Sequence, residues 1–489
     1  MIDLLVIGGG INGAGIARDA AGRGLKVLLC EKDDLAAHTS SASTKLIHGG
    51  LRYLEQFEFR LVRESLRERE VLLAAAPHII WPLRFVLPVD RGMRPAWMLR
   101  IGLALYDRLG GRSSMPGTRS VDLERPPHRM VLSNRLTRGF EYSDCWVEDA
   151  RLVVLSAMDA RERGATILTR TECVGLERMA DGWRARLRGS QGERTLEARA
   201  VVNAAGPWVD RMAKMALGRG TPTRLRLVKG SHILVPRKYP GDHAYIFQQR
   251  DGRIVFAIPY EREFTLIGTT DSPFNGDPGS VEISREERTY LRDAAARYFR
   301  NGVEENEIVH SYSGVRPLYD DHSARNSTVT RDYAFELDSD GGAPILSVYG
   351  GKLTTYRKLA EHALAHLSSH LPMAGEWTRG APLPGGDMAD FGQFLQGAAD
   401  RYPWLPHETV LRLARAYGTR IDALLGKAEA PGDLGEHFGG DLYEAELRYL
   451  VREEFACKAE DVLWRRSKLG LHLPATSQER VGAWMSDKG

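Results

Sequence analysis

A glycine turn near the start of the chain, Gly8-x-Gly10-x-x-Gly13, constrains the fold more than any other feature. An apolar run, Leu4 to Ile7, precedes it, and small residues recur after it at Gly13, Ala17 and Ala20, with Ala21 adjoining. A short apolar run ended by glycines predicts a buried strand, and small residues at helical spacing predict a helix face pressed on a sheet. Gly24 is placed to cap that helix, and Leu25 to Cys30, closed by Glu31, predicts a second strand. The opening therefore reads strand, turn, helix, strand, a βαβ unit. In this setting the first glycine makes the tight turn, the second lets backbone approach a pyrophosphate, and the third lets helix and strand pack closely. The helix N-terminus faces the phosphates. An acid about 20 residues further on takes the ribose hydroxyls, and Glu31 fills that place. A purely structural glycine turn is the plain alternative, and the flanking strand, helix and acid argue against it.

Composition sets the outer limits. A chain of 489 residues has room for about two to four domains. Its 43% hydrophobic and 27% charged residues are those of a globular protein, which excludes disorder and small disulfide scaffolds. With 67 basic and 64 acidic residues the formal charge is +3, so nucleic acid is not expected as a partner. Cys30, Cys145, Cys173 and Cys457 show no zinc-ribbon or redox-pair spacing, which predicts thiols in a reducing compartment and no metal. The opening MIDLLVIGGG has no basic n-region and predicts no secretory leader. No apolar run approaches the roughly 18 residues of a spanning helix.

Further on, hydroxyls crowd Thr39 to Thr44, a charged helix is expected over 58–76, and a Pro-broken apolar stretch follows. Residues 113–138 look like loop. A helix is expected over 150–163, a hairpin turn at Asp181-Gly182, and a strand at 199–203 running into Ala204-Ala205-Gly206. Residues 225–271 predict an antiparallel sheet with one face on a core. A strand over 344–348 ends at Gly350-Gly351 and a helix is expected from Lys352 to about residue 367. Leu383-Pro384-Gly385-Gly386 looks like a linker, and the remainder reads as helical. One dinucleotide motif leaves no second site for NAD beside a flavin. The hydroxyl-rich stretch and the late glycine pair suit a long ligand threading several segments, so FAD fits better than NAD.

These residues lie in a recognisable series: GGGINGAG at 8–15, TSSASTKLIHGGLRYLE at 39–55, FEYSDCWVEDARL at 140–152, VVNAAGPWVD at 201–210, VKGSHILVP at 228–236, IGTTD at 267–271, YSGVRPL at 312–318, TRDY at 330–333 and GGKLTTYRKLAEHAL at 350–364. Together they resemble the FAD-dependent sn-glycerol-3-phosphate dehydrogenases, in particular the aerobic, membrane-associated bacterial ones. The resemblance continues into DLGEHFGGDLYEAELRYLV at 433–451. It implies an α/β fold, α+β overall, with a Rossmann-like FAD lobe of the glycine/D-amino-acid-oxidase type, an antiparallel-sheet substrate lobe and an all-helical C-terminal domain. The expected division is 1–75, 145–215 and 341–380 for the FAD lobe, 76–144 for an amphipathic membrane-facing segment and cap, 216–340 for the substrate lobe and 381–489 for the helical domain.

The resemblance also implies oxidation of glycerol 3-phosphate to dihydroxyacetone phosphate, electrons passed to a membrane quinone, a peripheral position on the cytoplasmic face of the plasma membrane, and a homodimer. It carries the cofactor onto Gly8, Gly10, Ile11, Asn12, Gly13 and Glu31, onto Thr39, Ser40, Ser43, Thr44, Lys45, Leu46, His48, Gly49 and Gly50, onto Val174, Ala205 and Gly206, and onto Gly351, Lys352, Leu353 and Thr354. A soluble oxygen-dependent glycerol-3-phosphate oxidase is the alternative.

Oxidising a secondary alcohol removes a proton from oxygen and a hydride from carbon. A phosphate dianion in a pocket needs cations, and Arg52, Arg316, Arg331 and Lys352 lie in the family-like motifs. Arg331 is placed on phosphate and Arg316 nearer the reacting carbon, with the division otherwise open. His232 is the leading base, since its pKa range suits proton transfer near neutrality. A lone strand histidine is often structural, and the motif around His232 weighs against that. Tyr53 and Thr269 are expected to orient the substrate, as the family pattern suggests. Residues 91–112 carry five arginines and one acid, Asp107, with Trp97, Ile101 and Leu105 at i, i+4 and i+8. That pattern predicts docking on an anionic membrane surface; the alternative is a helix packed on the core.

Overall fold

The computed structural model describes residues 1–218, 224–320 and 332–488. The βαβ unit forms as its pattern predicts. Strand Ile2–Ile7 pairs parallel with Val27–Cys30, and the helix Ile11–Gly22 connects them. The chain then crosses to the opposite side of Ile2–Ile7, where Gly192–Asn203 and then Ile345–Gly350 add parallel strands. Thr166–Leu168 extends the other edge beside Val27–Cys30. Strand order therefore reverses at Ile2–Ile7, and ligands bind outside the carboxyl ends of strands at such a point.

Both faces of this sheet are covered, which is why its strands are apolar without alternation. Leu4, Val6, Val202 and Leu346 face the helices Ile11–Gly22, Asp149–Glu162 and Tyr356–Leu367 through Ala17, Val153 and Leu359. Leu5, Ile7, Val201 and Ile345 face Trp183 and Met212 on the other side. Trp183 belongs to the hairpin Glu172–Arg178/Trp183–Gly189, which closes around Asp181-Gly182 as expected.

Among the described residues the second sheet has ten strands. Toward one end Leu225–Pro236 pairs antiparallel with His310–Tyr319 and with Phe264–Gly268, and Ile254–Tyr260 and Ala244–Gln248 follow. Two expectations need correction here. Residues 76–144 are expected to form an amphipathic membrane-facing segment and cap, yet Ile80–Pro88 and Arg138–Val147 are long strands of this sheet, with Phe85, Leu87, Phe140 and Tyr142 in its core. Pro82 interrupts the apolar pattern; it pairs with Cys145 on one side, and on the other the pairing to Ala244–Gln248 involves only Phe85 and Val86, so no strand calls on its missing N–H. Conversely, Tyr333–Asp338, assigned to the substrate lobe, pairs with Ile345–Gly350 as the edge of the first sheet.

Helices Phe391–Arg401, His407–Tyr417, Glu444–Glu454 and Ala475–Lys488 enclose a separate core of Leu413, Phe438, Leu447, Leu450 and Val481. The stretch 383–386 is not an exposed linker. All four residues are buried, the Leu383 N–H donates to the Ala75 carbonyl, and the Thr419 N–H donates to the Gly385 carbonyl. Its glycine serves close packing, since a Cβ on Gly385 would lie 2.2 Å from the Tyr417 carbonyl oxygen. Among the described residues no helix is long and apolar enough to cross a membrane.

Helix and first strand meet at Gly13, where a Cβ would lie 1.9 Å from the Gly8 carbonyl oxygen. Gly13→Ala should therefore destabilise the fold by about 1–3 kcal/mol despite alanine's better helix propensity. Urea unfolding checks this; unchanged stability would mean that the contact can relax.

Candidate active site

A cavity of about 340 Å³ lies where the first sheet's strands end and the second sheet's face begins. Ile7-Gly8, Cys30-Glu31, Ala204 to Gly206 and Gly350-Gly351 each continue from a strand of the first sheet into its wall. The second sheet contributes Gly230, His232, Gly314 and Arg316, and Thr269 follows directly on its strand Phe264–Gly268.

The first-sheet side has the features of a dinucleotide cradle. Gly8 adopts φ +113°, and a Cβ there would lie 2.4 Å from the Ala204 carbonyl oxygen, so only glycine fits. The Glu31 carboxylate accepts from the Gly9 N–H at 2.7 Å and the Asp33 N–H at 2.8 Å. Burial pushes its pKa up, with those two N–H groups pulling the other way. Ser40 Oγ accepts the Ile11 N–H of the helix start at 3.0 Å. Asn12 donates to the Gly350 carbonyl at 3.1 Å, while its buried Oδ1 has no partner. A glycine turn at a helix N-terminus, an acid beyond the second strand and an unmet buried acceptor fit FAD.

The expected cofactor residues divide into wall and support. Gly8, Gly10, Ile11, Asn12, Glu31, Thr39, Ser40, Ser43, Thr44, Leu46, His48, Ala205, Gly206, Gly351, Lys352, Leu353 and Thr354 line the cavity. Gly13, Gly49 and Gly50 stand behind it. A Cβ on Gly49 would lie 2.6 Å from Leu66, and one on Gly50, at φ +78°, would lie 2.2 Å from the Tyr53 ring. Val174 is also outside the lining, to which its strand contributes Glu172 and Cys173. Lys45 corrects an expectation. Its ammonium is 2.8 Å from Asp149, both side chains are buried, and it also donates to the Ser41 carbonyl, so its charge is consumed by structure. Lys352 and Thr354 were expected to open a helix directly; a 3₁₀ turn, Leu353–Thr355, intervenes before Tyr356–Leu367.

Register explains the second-sheet side. His232 pairs with Tyr312, Gly230 with Gly314 and Val228 with Arg316, so alternation puts Gly230, His232, Tyr312, Gly314 and Arg316 on one face. The glycines clear this floor. A Cβ on Gly230 would lie 2.8 Å from both Arg316 and Thr269, and one on Gly268 would lie 2.1 Å from the His232 ring. His232 Nε2 shares a hydrogen bond with Thr44 Oγ1 at 2.9 Å, and its ring stacks on Tyr312 with centroids 4.8 Å apart. Its Nδ1 is buried without a partner. Burial, with the charges of Lys45 and Arg316, holds its pKa down to about 3, so the imidazole is neutral. Arg316 is 2.7 Å from Asp271 and donates to the Thr270 carbonyl at 2.7 Å. Lys352 Nζ sits 3.8 Å from the centre of the Tyr53 ring.

Arg52 is not in the lining; its guanidinium lies 3.9 Å from Asp271. Arg331 lies outside the described residues. The sequence reading missed Asp271, Tyr312 and Asp149. Tyr312 was within reach, because it lies four residues before Arg316 on the same strand and must share its face.

The basic segment forms the helix Ala96–Leu109 and presents two apolar faces. Leu99, Leu103 and Tyr106 are buried against the second sheet, while Trp97 and Ile101 are 66% and 61% exposed. Arg100 and Arg108 on the helix and Arg91 and Arg112 flanking it are exposed. Arg94 is not available there, since both its Nε and NH2 donate to Glu55.

Residues 3–357 match a family model described as FAD dependent oxidoreductase, and 377–487 match one described as the C-terminal domain of alpha-glycerophosphate oxidase. The molecule is thus an FAD-dependent oxidoreductase, and FAD is its cofactor. A Pseudomonas aeruginosa protein named glycerol-3-phosphate dehydrogenase is 54% identical over 490 residues, 99% of this chain and 95% of its own. A Brucella abortus protein named D-erythritol 1-phosphate dehydrogenase is 53% identical, over 99% of this chain and 98% of its own. The solved glycerol-3-phosphate dehydrogenase of Bacillus halodurans, complexed with FAD, superposes with a TM-score of 0.81 at 30% identity, covering 100% of this chain and 90% of that one. The chain belongs to the glycerol-3-phosphate dehydrogenase family.

Keeping His232 neutral links the site to stability. Its folded pKa of about 3 lies below the ordinary 6.5, so the unfolded chain binds the extra proton between those values. The stability this contributes is complete above about pH 6.5 and is lost as pH falls toward 3. His78, buried beside Arg151 and Arg415 and also held to about 3, acts in the same direction. His232→Gln should flatten the acid limb by up to about 1.4 kcal/mol per pH unit. Urea unfolding between neutrality and pH 4.5 measures this; an unchanged slope would mean that the histidine takes up its proton as readily in the folded chain as in the unfolded one.

Proposed function

We propose that this chain oxidises sn-glycerol 3-phosphate to dihydroxyacetone phosphate and passes the electrons to a membrane quinone. The observation that carries the reading is the neutral, buried His232, with Nδ1 unmet, on the same cleared face as Arg316. FAD, when bound, supplies the hydride acceptor. The chain's part is to hold the alcohol, take its proton and keep water out. His232 accepts the hydroxyl proton at Nδ1, while Thr44 holds Nε2 and Tyr312 fixes the ring plane. A proton there is opposed by Lys45 and Arg316, and a phosphate dianion beside Arg316 offsets that opposition. Asp271 positions the Arg316 guanidinium. Arg52, Arg331 and Lys352 complete the phosphate candidates, and Tyr53 and Thr269 orient the carbon chain.

The chain divides, on this reading, into an FAD lobe, a substrate lobe and a helical C-terminal domain. A peripheral place on the cytoplasmic face of the membrane is supported by the outward stripe of Trp97 and Ile101 with arginines around it. The homodimer rests on the family resemblance alone. D-Erythritol 1-phosphate is a second substrate reading, favoured by the 53% identical Brucella relative. The two molecules share a phosphate and a secondary alcohol and differ in chain length, so the cations and the base serve either.

An anaerobic screen of small phosphorylated polyols against the FAD-loaded protein decides between them. Glycerol 3-phosphate is expected to bleach the flavin fastest; faster bleaching by the four-carbon phosphate would transfer the assignment, and bleaching by neither would end it. Reoxidation by a quinone analogue should outpace reoxidation by oxygen. Arg316→Met should lower kcat/KM by about 100-fold or more, the weight of a charge-assisted contact to phosphate or oxyanion. Replacing Trp97 and Ile101 by Ser and Arg100 and Arg108 by Glu should abolish pelleting with anionic liposomes without affecting turnover of soluble acceptors. Undiminished pelleting would remove this helix from the membrane contact.

A further inference from the structure

Residues 31–45 supply much of the cavity wall, including Glu31, Ser40 and Thr44, yet their regular structure is a single 3₁₀ turn, Thr39–Ser41. An irregular segment holds one shape only when it is tied to its surroundings. Toward the cavity the Ala36 N–H donates to the Gly9 carbonyl at 3.0 Å and Ser40 accepts the Ile11 N–H. Away from the cavity the end of the segment is tied to Asp149 through Ser43 and Lys45, and its start is tied through Asp34, which is 1% exposed.

The Asp34 carboxylate accepts from Arg465 Nε at 2.6 Å and from both terminal nitrogens of Arg466, at 2.5 and 2.8 Å. Arg466 is fully buried and also donates to the Glu454 carbonyl at 2.7 Å. Arg465 reaches Asp461 at 2.6 Å, and Arg170 reaches the same carboxylate at 2.6 Å while its backbone N–H donates to the Asp33 carbonyl. Both arginines come from a π-helical turn, Asp461–Arg466, in the C-terminal domain. Successive side chains of a regular helix diverge by about 100°, yet these two meet on one carboxylate. π turns are rare and concentrate where function demands them. Neither the arginines nor Asp34 lines the cavity. A buried carboxylate tied this closely repays its desolvation only with complete hydrogen bonding, and removing one partner is strongly unfavourable.

We propose that the C-terminal domain is a cofactor-retention clamp: Arg465 and Arg466, acting through Asp34, hold segment 31–45 in the shape that keeps FAD bound. Asp34, Arg465 and Arg466 are positioning residues on this account. The proposal depends on FAD binding and not on which polyol phosphate is oxidised.

The test follows flavin release from diluted holoprotein by the recovery of free-flavin fluorescence, with the melting temperature measured in parallel. Arg466→Met and the isosteric Asp34→Asn are compared with Arg412→Met, a control within the same domain whose guanidinium is held by Asp441 and Glu446. Release should quicken about tenfold or more in both clamp variants, the scale of a lost charge-assisted hydrogen bond. It should stay within about twofold in the control even where the melting temperature falls equally, and Arg466→Lys should recover part of the retention. Unchanged release in the clamp variants overturns the proposal. So does equal quickening in Arg412→Met at equal loss of melting temperature, since that would reflect general loosening of the domain. Should Arg466→Met fail to fold, Asp34→Asn decides by the same criteria.

Discussion

The contact between Gly13 and the carbonyl of Gly8 is the constraint on which the rest of the molecule depends. It lets the helix Ile11–Gly22 lie close enough to the strand Ile2–Ile7 for the helix N-terminus to open onto the crevice. The reversal of strand order at that strand makes a crevice there in the first place. The wall then follows from topology. Parallel strands all end on the same side, so Glu31, Ala205, Gly206 and Gly351 arrive together although they are distant in sequence. The second sheet closes the opposite side with a face kept low by Gly230, Gly268 and Gly314.

Charge is handled differently in the scaffold and in the site. In the scaffold, buried ions are paired with close geometry: Lys45 with Asp149, Arg151 with Glu454, Arg466 with Asp34, and Arg357 with Glu68. Such pairs add little net stability over apolar packing, but losing one partner is costly, so they fix geometry. Two of them brace the segment that lines the cofactor cavity, one at each end. In the site a neutral imidazole is held among cations, and its neutrality comes from burial with Lys45 and Arg316 nearby. The overall charge of +3 reports neither arrangement.

What the sequence disclosed follows the same division. The βαβ opening, the place of Glu31 and the glycine turns are local patterns, and each appears in the structure where its pattern put it. The strand-rich character of 225–271 was equally readable, but 310–319 carried no strand assignment, so the shared face of His232 and Arg316 emerges only from the pairing of the two strands. Strand pairing between distant segments was not readable. Ile80–Pro88 and Arg138–Val147 enter the second sheet by contacts that no local period encodes, and Pro82 disguised the first of them. Lys45 shows the same limit for side chains. A lysine in a hydroxyl-rich stretch has the chemistry of a phosphate ligand, and only the fold reveals Asp149 beside it. The buried 383–386 stretch misled for a related reason, because glycine and proline signal a turn equally well when packed or exposed.

Two polar atoms that the scaffold leaves unmet, Asn12 Oδ1 and His232 Nδ1, belong to residues that line the cavity, one on each sheet's side. A buried polar atom without a partner costs about 1–3 kcal/mol, a cost that the rest of the fold sustains. The asparagine oxygen is an acceptor, and His232 Nδ1 is one when the ring proton sits on Nε2 toward Thr44. The histidine nitrogen is suited to a substrate hydroxyl, and the asparagine oxygen to a group of the cofactor. A ligand that meets them binds the folded chain and not the unfolded one, so binding and stability rise together.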